Sequence, residues 1–166
     1  LYIFLKKKLS FKYIFLFSTI GLLSHGILDS CTSYGTNLFW PLSDHRVAWN
    51  IISIIDPIYT FTLLFFLILC IVFKSLLNIR LGLFFSFFYL FLGFQKHQHI
   101  KSYIYNIAES RGHNIERLLL NPTIGNNILW RSVYQSEDNY YIDAVYFPLF
   151  SEPAFKEGVK IKVINK

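Results

Sequence analysis

His25 and Asp29 stand four residues apart at the end of an apolar run. On a helix that spacing puts both side chains on one face, a turn apart. An imidazole nitrogen and a carboxylate oxygen placed so can share one divalent metal ion. Ionisable groups at the edge of a bilayer are costly and are candidates for function by default. The competing reading is that the pair only marks a helix end at headgroup level. Asp56 precedes Pro57 at the start of a second apolar run. An Asp at the N-cap followed by Pro is how many helices begin. As chemistry, Asp56 is a third acidic ligand, or a general base that orients water. Ser43-Asp44-His45-Arg46 puts an acid, an imidazole and a guanidinium together. Arg46 can grip a phosphate or carboxylate with two parallel hydrogen bonds, or simply anchor the chain at an interface. His97 and His99 carry donor nitrogens, but at the start of a solvated helix they need no function. There is no Gly-x-Ser-x-Gly elbow, phosphate loop or dinucleotide fingerprint.

The elements that must position these residues follow from the apolar runs. Tyr13 to Leu28, Pro57 to Phe73 and Leu81 to Gln95 contain no Asp, Glu, Lys or Arg. A spanning helix needs ~20 apolar residues, with a range of about 17–25; these runs are at or below its lower limit, and flanking Lys or Arg can extend a span by snorkelling. The first run follows Lys6, Lys7, Lys8 and Lys12 like the core of a signal peptide, yet it ends in Ser-His-Gly-Ile-Leu-Asp and not in a small-x-small cleavage site. Between the first two runs, residues 29–56 form a polar motif loop. Its last part, Val47 to Ile55, reads as an interfacial or re-entrant helix, and Tyr34, Trp40, Trp49 and Tyr59 suit a membrane–water boundary.

Beyond Gln95 the pattern changes. Ile100, Ile104, Ile107 and Ala108 recur at helical spacing, with Gly112 as a C-terminal cap. Asn121-Pro122 signals a turn. Ile128–Tyr134, Tyr140–Phe147 and Val159–Ile164 read as strands, the last alternating Val159, Ile161 and Val163 with Lys160 and Lys162. The fold expected is therefore a membrane all-α region, residues 1–95, with about three transmembrane or interfacial helices, followed by a small extramembrane α+β domain, residues 96–166.

Composition agrees with that division. The 166 residues are 54% hydrophobic and 16% charged, against about 45–50% and ~25% in ordinary soluble domains. Disorder is excluded, because so apolar a chain has ample surface to bury. The net charge of +6 gathers partly ahead of the first apolar run, which is membrane-flank charge and not a nucleic-acid face. These flanks favour a cytoplasmic N-terminus, and Lys74 with Arg80 a cytoplasmic second loop. Loop 29–56 and the C-terminal domain then share the outer side, against which Lys96 and Lys101 argue. Cys31, in the polar loop, and Cys70, in an apolar run, are not expected to pair.

Three segments together carry a family resemblance: His25-Gly-Ile-Leu-Asp29-Ser-Cys-Thr-Ser-Tyr-Gly35-Thr, Trp40-Pro41-Leu-Ser-Asp44-His-Arg46-Val-Ala-Trp49, and Ile54-Ile55-Asp56-Pro57-Ile-Tyr59. They closely resemble the inner-membrane-associated metal-dependent hydrolase family, also described as LexA-regulated membrane proteins. Pro122 and Ile128-Leu129-Trp130-Arg131 match that family's distal part weakly. The resemblance implies a multi-spanning protein of the bacterial inner membrane with a divalent metal site. By analogy with zinc phospholipases and nucleases that use His-x-x-x-Asp pairs, it implies zinc and an ester or phosphoester substrate. An upstream His-Arg-Gly-x-Thr-His segment of the family is absent here. The chain begins with Leu1 and contains no Met, which reads as a fragment lacking its natural start.

The leading expectation is a membrane-bound, zinc-type hydrolase acting on an ester or phosphoester at the interface. His25 and Asp29 hold the metal, Asp56 completes the shell or orients water, and Arg46 steadies an anionic substrate. Its partners are membrane lipid and a hydrolysable substrate, with no nucleic acid. The alternative is a non-catalytic sensor or scaffold that displays the C-terminal domain.

Overall fold

The computed structural model describes residues 10–148 and 151–163. Lys6, Lys7 and Lys8 and the strand end expected at Ile164 lie outside them. The described chain runs through helices α1 (Phe11–Cys31), α2 (Pro57–Phe73) and α3 (Leu76–Ser110), then strands β1 (Arg117–Pro122), β2 (Leu129–Ser136), β3 (Asn139–Tyr146) and β4 (Ala154–Lys162).

All three apolar runs are helical. α1 and α3 are each long and apolar enough to cross a membrane, and α2 is a shorter apolar helix of 17 residues. Their large side chains are mostly bare: Leu22, Phe61, Phe84 and Phe87 are all exposed. Such a surface is unfavourable in water and at home in lipid, where helices leave no backbone group unpaired. α2 and α3 form an antiparallel hairpin. Lys74 turns the chain in the left-handed region at φ 48°, and the Ser75 hydroxyl accepts from the Leu77 N–H to cap α3. Gly82 lets the helices close, since a Cβ there would stand 3.1 Å from Phe66 Cβ.

The third apolar run and the helix expected around Ile100 are one element. α3 passes unbroken through residues 95 and 96 for 35 residues, about 52 Å at 1.5 Å per residue. Its last turns pack on the sheet. Ile100, Ile104 and Ala108, spaced by four, are buried against Leu120, Trp130, Tyr134 and Val145. The sheet is an antiparallel meander in the order β1-β2-β3-β4. The end of α3 is stapled to it. Arg111 Nη1 lies 3.4 Å from the buried Asp143 carboxylate and donates to the Tyr134 hydroxyl at 3.2 Å. Burial alone would lower the Arg111 pKa, but the Tyr134 hydrogen bond and the Asp143 and Glu157 charges raise it overall. Burial raises the Tyr134 phenol in turn.

Four local expectations need correction. Val47 to Ile55 is not a helix but irregular chain, left-handed at Asn50 and bent at Ile54 and Ile55, with isolated bridges between Thr36 and Val47 and between Thr32 and Ile52. The reason lies in the helix before it. Trp49 N–H donates to the Ser30 carbonyl, and Ile51 and Ile52 N–H both donate to that of Cys31. The segment thus satisfies carbonyls that the end of α1 leaves unpaired. Asn121-Pro122 is not a turn but the end of β1, where the missing Pro N–H is tolerated on an edge strand. Cys31 is not in a loop but is the buried last residue of α1. The alternation in β4 buries neither face. Val159 is 61% and Ile161 47% exposed, because β4 is the other edge and the helix covers β1–β3.

Candidate functional site

The site is built where three helix levels meet. The end of α1, the start of α2 and the middle of α3 are tied together by the motif loop. Cys31, Ile51 and Ile52 form a small core against Tyr89 and Leu90 of α3. Gly93 is the contact point, since a Cβ there would lie 2.6 Å from the Ile51 carbonyl oxygen. The loop also touches the sheet domain, where Gly125 N–H donates to the Ile55 carbonyl at 2.9 Å.

His25 and Asp29 lie on one face of α1, with Nε2 and Oδ2 3.5 Å apart. Their side chains are 74% and 43% exposed. A tetrahedral zinc ion bound by one nitrogen and one oxygen holds them about 3.4 Å apart, so the pair has the separation of one edge of such a site. Among the described residues, however, no group of three or more His, Cys, Asp and Glu is arranged to hold a metal ion. The pair supplies two ligands, and a catalytic zinc ordinarily has three from protein.

Asp56 caps α2 and is hydrogen-bonded through both oxygens. It is buried. Its Oδ1 accepts from Tyr59 N–H at 3.0 Å, and its Oδ2 from the Tyr89 hydroxyl at 2.7 Å. Alongside, the Tyr59 hydroxyl and Ser86 Oγ are 2.6 Å apart. Arg46 is exposed and lies over the Tyr34 ring, 4.6 Å from its centroid, in a cation–π contact. His45 N–H donates to Ser43 Oγ in a local turn. His97 and His99 face aromatic rings of the sheet domain, Trp130 and Phe147. They are packing residues there, far in role from the α1 pair.

Sequence reasoning missed Tyr89, Ser86 and Lys96. Lys96 Nζ donates to the carbonyls of Asn127 and Phe147 at 2.9 and 3.1 Å, fastening α3 to the loops of the sheet. The available signal was a Tyr and a Ser inside an otherwise apolar run, each needing a partner away from water.

The architecture defines a helical membrane protein that carries a small β-meander on the end of its longest helix. Comparison gives the family: the profile described as "YdjM inner membrane protein" matches residues 1–100. The chain therefore belongs to the YdjM inner membrane protein family. The matched part comprises the motif loop and the apolar helices, and the sheet lies beyond it. No curated protein and no solved structure matches. Membership agrees with the inner-membrane part of the resemblance and speaks to neither metal nor hydrolysis.

Proposed function

We propose that this multi-pass inner-membrane protein is a metal-dependent hydrolase of zinc type, acting on an ester or phosphoester at the membrane surface. The supporting observation is the His25–Asp29 pair, with donor atoms 3.5 Å apart on the exposed face of α1, a turn from its end. A bound divalent ion would supply Lewis acidity and an activated water. His25 and Asp29 would hold the ion through one nitrogen and one oxygen. Arg46, steadied on Tyr34, offers a fork of donors to an anionic group. Asp56 accepts one hydrogen bond on each oxygen, which fixes the loop's return to the membrane and leaves a lone pair on each oxygen for orienting water.

A second reading, a scaffold that holds the sheet above the membrane, is favoured by the Lys96 and Arg111 fastenings of α3 to the sheet. Metal content separates the two. Protein purified in detergent and loaded with zinc should retain it, with His25→Ala and Asp29→Ala each losing most of the bound metal and any esterase or phosphoesterase activity. His99→Ala should change neither. Equal zinc in wild type and His25→Ala would leave the pair as a helix end and favour the scaffold.

A further inference from the structure

We propose that the cleft between the motif loop and the open edge of the sheet binds the headgroup of an anionic phospholipid, with Arg131 on its phosphate. This site is separate from the His25–Asp29 pair and does not depend on metal binding. The cleft has a volume of about 410 Å³. Ser33 comes from the motif loop, Asn121 from β1 and Arg131 from β2. Asn121 and Arg131 are direct partners across the β1–β2 ladder, so their side chains share one face of the sheet.

Three observations point to a polar, negatively charged occupant. Ser33 Oγ and Asn121 Oδ1 are buried, and neither has a hydrogen-bond partner. Buried polar atoms are nearly always paired, so two orphans on residues that line one cleft favour an occupant that a small rotation of either side chain would let them reach. Arg131 has no ion pair among the described residues. No carboxylate lines the cleft to offset it. A guanidinium and a hydroxyl suit phosphate oxygens, while the Asn121 carbonyl can accept from a headgroup hydroxyl.

The rim points to a lipid as the carrier of that phosphate. Ile54 and Ile124 line the cleft and are 54% and 73% exposed. Ile54 lies two residues before the cap of α2, where the chain enters its apolar helix. A phosphodiester held at this level has acyl chains continuing along the bare surface of the helices. A soluble phosphate ester would leave the two isoleucines in water.

Native mass spectrometry of the full chain, released from micelles with equimolar phosphatidylglycerol and phosphatidylcholine, tests the assignment. Wild type should retain phosphatidylglycerol about five-fold more than phosphatidylcholine, the preference one membrane-surface cation gives. Arg131→Gln should bring the two to near parity, and Arg131→Lys should restore much of the preference. Ser33→Ala should lower the retention of phosphatidylglycerol itself by about two- to five-fold, the loss of one hydrogen bond to a phosphate oxygen. Lys74→Gln, at the opposite end of the helices, should leave it unchanged. Arg131 is exposed, so its replacement disturbs no core, and Ser33→Ala gives an independent second reading. An unchanged preference in Arg131→Gln, or unchanged retention of phosphatidylglycerol in Ser33→Ala, overturns the proposal. Equal retention of free glycerol phosphate, competing with the lipid, assigns the cleft to a soluble ester and overturns it too.

Discussion

Asp56 shows how one side chain can serve a fold where chemistry was expected. Its residue type and the Pro after it announce a helix start, and the Tyr59 N–H bond bears that out. The second oxygen is taken by Tyr89, 33 residues away on the neighbouring helix, a partner no local pattern could indicate. The pair bridges α2 to α3 where water is scarce, so breaking it is costly. Tyr89→Phe should lower the stability of the protein in detergent micelles by about 1–3 kcal/mol, the cost of leaving a buried acceptor short of a donor. Asp56→Ala should cost about 1 kcal/mol more, because the helix cap goes with it. Thermal unfolding followed by circular dichroism reads both. Asp56→Asn, which keeps an acceptor for the cap, should fall between wild type and Asp56→Ala. His25 and Asp29 form the opposite case. Their approach was legible from spacing alone because a helix fixes which residues face each other, whereas the meeting of Asp56 with Tyr89 is set by tertiary packing.

At the level of elements, the motif loop is held by backbone hydrogen bonds to α1 and by a steric fit to α3. Gly93 is the fit: any larger residue drives a Cβ into the Ile51 carbonyl and side chain. Gly93→Val should push the loop off α3 and expose the Ile51 and Ile52 amides that now donate to Cys31. Hydrogen exchange at those two amides should quicken about tenfold or more, a local opening made easier by at least ~1.4 kcal/mol, while the sheet amides of β2 and β3 keep their protection. The helices were readable because long uncharged runs have few other solutions. Residues 47–55 were not, since their apolar density resembles a short helix and the need of α1 for donors is invisible in sequence. β1 was hidden for a different reason. Leu118, Leu119 and Leu120 lack the β-branching that marks a strand, and Asn121-Pro122 reads as a turn until the edge position is known. The opposite edge misled through its alternation. β4 has the pattern of a half-buried strand, but only Phe155 at its start packs on the core, and Val159 and Ile161 stay exposed.

For the whole molecule, the shared level of the Cys31, Asp56 and Gly93 positions places the motif loop and the sheet at one end of the helices. Lys12, the Lys74 turn and Arg80 lie toward the other end. Lys96 had counted against that sidedness as a charge on the sheet side. Its ammonium is committed to the Asn127 and Phe147 carbonyls, so it serves as a tether more than as a free topological signal. On the proposal that α2 crosses with α1 and α3, basic residues retained on the cytoplasmic side should put the hairpin turn inside and the loop with the sheet outside. Single-cysteine variants test this arrangement after Cys31 and Cys70 are replaced by Ser. Ser43→Cys in the motif loop and Glu137→Cys in the β2–β3 turn should be labelled in intact spheroplasts by a membrane-impermeant maleimide. Lys74→Cys should be labelled only after the membrane is opened. Labelling of Ser43→Cys and Glu137→Cys from opposite sides would show that α2 and α3 do not cross as a hairpin. The loop and sheet would then not share one surface, and the contact of Gly125 with Ile55 could not exist in the membrane.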